Sequence, residues 1–82
     1  MKKRILIVED NITLLHIQRD WLEREGYSVA TAIDEPFAHK LLCKESFDLI
    51  LSDVRLPQGD GIHLLEWIGK EKMDIPFVIM TE

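Results

Sequence analysis

The sequence predicts a single α/β domain in which short parallel strands alternate with helices. Four strand-like runs, at residues 5–8, 28–32, 48–52 and 77–80, are separated by three segments with helical apolar spacing. Regular alternation of this kind builds a parallel sheet with helices packed on its faces. The strand compositions favour the order 2-1-3-4, with strands 1 and 3 in the centre. A length of 82 residues leaves room for one domain only.

The first half of the chain begins with a buried strand. Residues 5–8 form a continuous apolar run, which is typical of parallel strands covered on both faces. A first helix is predicted from residue 11 to about 25, started by Asp10 or Asn11 and ended by Gly26. Residues 28–32 alternate and are less apolar, as an edge strand would be. The apolar stripe of the helix is expected from Leu14, Ile17 and Trp21, with Leu15 and Leu22 beside them.

The second half repeats the pattern twice. Pro36 fits the first turn of a second helix, with Asp34 or Glu35 near its cap. Residues 48–52 read as the third strand, and residues 57–61 as a loop rich in turn residues. A third helix is predicted over residues 62–72, and residues 77–80 form the last strand. The inward faces of the two helices are expected from Phe37, Ala38, Leu41 and Leu42, and from Ile62, Leu65 and Ile68.

Composition excludes several classes of function. The formal net charge of −5 argues against direct contact of this segment with nucleic acid, which needs a basic face. The lone Cys43 cannot form an internal disulfide, so we expect a reducing, cytoplasmic location. Neither a run of about 18 apolar residues nor a signal peptide is present, so no membrane partner is expected.

Acidic residues follow two strands that the predicted order makes neighbours. Glu9 and Asp10 come directly after strand 1, and Asp53 comes after strand 3. Because parallel strands end at the same edge of a sheet, three carboxylates should converge there. Such a cluster is costly unless a cation neutralises it. The edge also holds the point where the chain reverses direction across the sheet, where doubly wound folds bind ligands.

Five short motifs now occur in order: ILIVEDN at 5–11, DLILSD at 48–53, LP at 56–57, GDG at 59–61 and VIMT at 78–81. Together they resemble the receiver domain of two-component response regulators, which implies a flavodoxin-like receiver fold. The stretch SDVRLP at 52–57 further resembles receivers of the nitrogen-regulatory type. These precede an ATPase module that activates sigma-54 polymerase and a DNA-binding tail.

The resemblance assigns roles to individual residues. Asp53 would be the phosphoacceptor, a carboxylate nucleophile that takes a phosphoryl group from a sensor histidine kinase. Mg²⁺ would be held by Glu9, Asp10, Asp53 and the backbone carbonyl of Arg55, and Thr81 would be the switch hydroxyl. The implied partners are the kinase and a transcription-regulating output domain. The domain would be a switch rather than an enzyme, with at most self-catalysed phosphotransfer and autodephosphorylation.

The resemblance also predicts that residues 1–82 are a truncated receiver domain. A receiver continues with a fourth helix, a fifth strand that ends in a lysine, and a fifth helix, and no lysine here can be assigned that role. We therefore expect Asp53 to bind the cation but to accept phosphoryl poorly. Right-handed crossovers place helix 1 alone on one face of the sheet. Strand 4 would then be an apolar edge that invites self-association.

Two other functions are open at this point. An aspartyl-phosphate hydrolase of the haloacid dehalogenase type also starts from an Asp at a strand end, but it places a second Asp two residues later, where this chain has Arg55. A phosphorylation-independent interaction module is the other alternative. His16, His39 and His63 lie on three different predicted helices, so neither a metal site nor a phosphorelay histidine is expected from them.

Overall fold

The structure, a computed structural model, describes residues 2–56 and 59–80. Four strands form a parallel sheet in the order β2-β1-β3-β6. This is the predicted order, because β4 and β5 are two-residue strands that pair antiparallel with each other outside that sheet. The elements are β1 Arg4–Val8, α1 Ile12–Arg24, β2 Ser28–Ala32, α2 Glu35–Lys44, β3 Leu49–Asp53, β4 Arg55–Leu56, β5 Gly59–Asp60, α3 Gly61–Lys70 and β6 Phe77–Met80.

Each helix begins at a polar side chain that accepts a backbone hydrogen bond from three residues later. Asn11 caps α1, Asp34 caps α2 and Asp60 caps α3. Pro36 lies in the first turn of α2, and Gly26, at φ +97°, follows the end of α1, both as predicted. Among the described residues, no helix combines the length and the apolarity that crossing a bilayer requires.

The main core lies on the side of the sheet that α2 and α3 cover. It contains Leu6, Val8, Ala32, Ala38, Leu42, Phe47, Ile50, Leu56, Leu64 and Ile68. Because side chains alternate along a strand, Ile5 and Ile7 point to the opposite face, where Leu15 of α1 is buried. Helix α1 packs against β1 and β2 there, as predicted.

The phase of the apolar stripes was predicted wrongly in parts of all three helices. In α1, Leu15 is buried, whereas Ile17 and Trp21 are 60% and 66% exposed. In α3, Leu64 and Ile68 are buried. The other predicted inward residues that prove exposed are Phe37, Ile62 and Leu65. The rotation of α3 is set by its first residue, Gly61, which is buried and shares a face with residues three and seven positions later.

The segment after Asp53 is more ordered than the predicted loop. Arg55 pairs with Asp60, and Leu56 pairs with Gly59, so β4 and β5 form a short hairpin. Residues 57 and 58 lie outside the described part of the chain. Helix α3 then starts at Gly61, one residue earlier than predicted, because Asp60 caps it.

Candidate functional site

The three predicted carboxylates lie together at the carboxyl edge of the sheet. Strands β1 and β3 are direct neighbours, with Val8 opposite Ser52, so Glu9, Asp10 and Asp53 leave the sheet side by side. One oxygen from each carboxylate lies within 4.8 Å of the others. Glu9 is buried, Asp53 is half-buried and Asp10 is exposed. The convergence expected from the sequence is therefore present in the fold.

The cluster carries uncompensated negative charge. Burial raises the pKa of the Glu9 carboxyl, the negative charges of Asp53 and Asp10 raise it further, and a hydrogen bond from the Asn11 N–H at 3.1 Å opposes the rise. None of the salt bridges formed within residues 2–56 and 59–80 involves these three carboxylates. An all-oxygen set of this kind fits a hard cation such as Mg²⁺.

The two other predicted site residues are Arg55 and Thr81. The backbone N–H of Arg55 faces Asp53 Oδ1 at 3.5 Å, a long hydrogen bond that places the Arg55 backbone beside the cluster. The role of its carbonyl as a metal ligand stays a prediction. Thr81, the predicted switch hydroxyl, lies outside the described residues.

Ser52 and Gly61 support the backbone of Asp53. Ser52 was not predicted to contribute to the site, and Gly61 was predicted only as part of a loop. Ser52 is fully buried, and its hydroxyl donates to the Asp53 carbonyl at 2.9 Å. Gly61 donates its N–H to the Val54 carbonyl at 2.9 Å. A Cβ on Gly61 would lie only 2.5 Å from the same Asp53 carbonyl oxygen, so the start of α3 touches the Asp53 backbone. The glycine is needed for space at this position.

A second cluster of titratable side chains lies next to the hairpin. Glu35, the first residue of α2, is buried, and its Oε2 contacts His39 Nε2 at 2.9 Å and His63 Nδ1 at 2.5 Å. His39 in turn stacks on Trp67, with ring centroids 4.2 Å apart. The sequence does not predict that Glu35 connects His39 and His63. The i, i+4 spacing of Glu35 and His39 was the available signal.

Comparison with known proteins decides the family. The family model described as the response regulator receiver domain matches residues 5–82. The chain belongs to this family. Its receiver motifs at 5–11 and 48–53 are the segments that supply the three clustered carboxylates. The flavodoxin-like fold expected from the resemblance is confirmed, and membership in this family disfavours the hydrolase of the haloacid dehalogenase type.

Individual relatives of this receiver domain agree. The alkaline phosphatase synthesis transcriptional regulatory protein PhoP of Bacillus subtilis is 38% identical over 81 residues, which cover 99% of this chain and 34% of PhoP. The chain thus spans about a third of that relative. The non-phosphorylated HemR receiver domain from Leptospira biflexa superposes with a TM-score of 0.90 at 40% identity, covering 98% of this chain and 64% of that one. The response regulator TrrA from Thermotoga maritima, in complex with Mg²⁺ and BeF, gives 0.91 at 30% identity, covering 96% and 69%.

Proposed function

We propose that this receiver domain accepts a phosphoryl group on Asp53 from a sensor histidine kinase and thereby switches a transcription-regulating output domain. The observation that carries the proposal is the convergence of Asp53 with Glu9 and Asp10 in a chain of the receiver family. PhoP, named as a transcriptional regulatory protein, supports the type of output. The complex of TrrA with Mg²⁺ and BeF supports Mg²⁺ as a ligand of this domain.

The chemistry uses Asp53 as the nucleophile. One carboxylate oxygen attacks phosphorus, an O–P bond forms, and the P–N bond of the kinase phosphohistidine breaks. The imidazole keeps the electron pair of that bond and takes up a proton. Glu9, Asp10, Asp53 and the Arg55 carbonyl would hold Mg²⁺, which when bound offsets the repulsion of the carboxylates and the charge of the phosphoryl group. The Thr81 hydroxyl would donate a hydrogen bond to the bound phosphoryl group.

Incubation with Mg²⁺ and acetyl phosphate, followed by intact mass spectrometry, tests this proposal. We expect a single phosphoryl adduct that requires Mg²⁺ and is absent with a chelator. Absence of any adduct on a chain that remains folded by circular dichroism would instead favour the phosphorylation-independent interaction module. Sustained turnover of a phosphomonoester would favour the hydrolase.

The finer parts of the proposal concern the rest of the signalling chain. The stretch at 52–57 supports an output of the nitrogen-regulatory type, in which an ATPase module that activates sigma-54 polymerase follows the receiver. Such an output acts on transcription, so a cytoplasmic location is part of the same proposal. The kinase is identified by its chemistry alone, as a phosphohistidine donor.

Self-association through β6 is a further part of the proposal. Strand β6 pairs with β3 on one side and is an edge of the sheet formed by the described residues. It is apolar throughout, and Val78 is 46% exposed. Exposed apolar edges recruit another strand, here that of a second copy. We expect sedimentation velocity to show a concentration-dependent dimer that Val78→Lys weakens.

The matched control for this experiment is Ile33→Lys. Ile33 is similarly exposed but lies beyond the end of β2, at the other side of the sheet. The Ile33→Lys substitution adds the same charge as Val78→Lys at an exposed apolar position away from β6, so the dimer should persist. A monomer at every concentration, or equal loss of the dimer in both variants, contradicts association through β6.

A further inference from the structure

A cavity separate from the carboxylate cluster lies between α2, the β4–β5 hairpin and α3. Its volume is about 490 Å³, and it is lined by Glu35, Pro36, His39, Gly59, Asp60 and His63. The carboxylate of Glu35 is buried at its wall. A buried carboxylate is costly unless it is paired and hydrogen-bonded, so its partners indicate what the side chain holds in place.

The Glu35 carboxylate connects three elements. Its Oε1 accepts the backbone N–H of Asp60 in β5 at 3.2 Å, while its Oε2 contacts His63 Nδ1 of α3 at 2.5 Å. Gly59, at φ +111°, packs directly on the same side chain, because a Cβ there would overlap Glu35 Oε1. The hairpin therefore rests on Glu35 through its backbone.

The same hairpin reaches the phosphoacceptor. Asp60, which Glu35 holds, is paired with Arg55 across the hairpin. The backbone N–H of Arg55 faces Asp53 Oδ1. Between the carboxylates of Glu35 and Asp53, the contacts run through backbone groups of the paired residues Asp60 and Arg55.

The geometry points to Glu35 and His63 as positioning residues for the Asp53 site, a pair that we call the Glu35–His63 latch. The latch holds the β4–β5 hairpin and the first turn of α3, so that the Arg55 backbone stays beside Asp53. This inference rests on the proposed function, since it concerns the same site, but its structural part is testable without phosphorylation.

The latch is expected to depend on pH. The hydrogen bond and charge of Glu35 raise the pKa of His63, burial opposes the rise, and the charges of Asp60 and Glu66 add to it. His39 faces Glu35 from α2 as a second imidazole. Because the folded-state pKa of His63 lies above its unfolded value, the latch is complete below the ordinary histidine pKa of about 6.5 and weakens as the pH rises through the raised value.

Amide NMR and Mg²⁺ titration of the chain test the latch. In the wild type, the amide signals of Arg55 and Asp60 should shift with pH, and the midpoint of the shift should equal that of the titration of the His63 imidazole. In His63→Gln this shift should disappear. At about pH 6, the Mg²⁺ dissociation constant of His63→Gln should be about tenfold higher than that of the wild type. This is the lower end of the range for residues that orient metal ligands.

Two further variants separate a positioning role from a general structural one. His63→Lys keeps a cation opposite Glu35, so it should retain wild-type Mg²⁺ affinity and hold it to about pH 9, below the ordinary lysine pKa of about 10.4. His16→Gln removes an exposed histidine of α1 and should behave as wild type. The cluster carboxylates are the same in every variant, so their own titration cancels in the comparison.

Unchanged amide titration and unchanged Mg²⁺ affinity in His63→Gln would overturn the latch. Loss of affinity in His63→Lys equal to that in His63→Gln would also overturn it, because the cation would then be irrelevant. A wild-type chain that forms no phosphoryl adduct but shows the His63-dependent shifts contradicts the proposed function and leaves the latch standing.

Discussion

Replacing Asp53 by asparagine is expected to abolish the phosphoryl adduct and to stabilise the metal-free domain. The amide is a poor nucleophile, so the loss of the adduct should be complete. Removing the Asp53 charge also removes one of the causes that raise the pKa of the buried Glu9 carboxyl. The gain in unfolding free energy should be about 1 kcal/mol, the size of a Coulomb interaction at about 4 Å in water.

The two effects are measured by intact mass and by thermal denaturation with and without Mg²⁺. The wild type should gain more stability from Mg²⁺ than Asp53→Asn does, because a ligand stabilises the state that binds it. Asp20→Asn is the matched control, since it removes one carboxylate from the exposed surface of α1, where Asp20 pairs with Arg19. Retention of the adduct in Asp53→Asn would assign phosphoryl acceptance to another residue.

Replacing Gly61 by alanine is expected to destabilise the domain by about 1–3 kcal/mol, the usual cost of overpacking. The new Cβ would lie 2.5 Å from the Asp53 carbonyl oxygen and 3.1 Å from Ser52 Oγ. The first of these neighbours is backbone within β3, so it cannot swing away as a side chain can. Either α3 or the end of β3 must shift, and the shift would also displace Asp53.

Gly69→Ala, in the same helix, provides the matched control with the opposite sign. Apart from its chain neighbours and the backbone of α3 itself, no heavy atom of the described residues lies within 4 Å of a Cβ at Gly69. The substitution should therefore stabilise the domain by about 0.5–1 kcal/mol through helix propensity alone. Urea denaturation of the two variants tests both signs. Stabilisation by both substitutions would contradict the close contact between α3 and the Asp53 backbone.

The features that the sequence predicts well depend on chain order and local pattern. Four strands alternating with three helices determine a parallel sheet, and the strand compositions place strands 1 and 3 side by side in it. Neighbouring parallel strands end at one edge, so the meeting of Glu9, Asp10 and Asp53 follows from topology without knowledge of any side-chain contact. Helix starts at Asn11 and Asp34 are equally local, because a cap bonds only to its own first turn.

The features that the sequence does not predict depend on how elements rotate against one another. The apolar stripes of α1 and α3 are wider than the surface that covers them, so spacing alone cannot decide that Leu64 is buried and Leu65 exposed. The contact of Gly61 with Asp53 makes that choice. Likewise, Glu35 and His63 are 28 positions apart, and only the packing of α2 beside α3 brings them together.

The packing of Gly59 on Glu35 should make two positions that are far apart in the sequence evolve together. A residue larger than glycine at position 59 requires a shorter side chain at position 35, and its left-handed backbone limits that choice further. Neither position can drift to bulkier residues alone. Among related receiver domains, positions 35 and 59 should therefore covary.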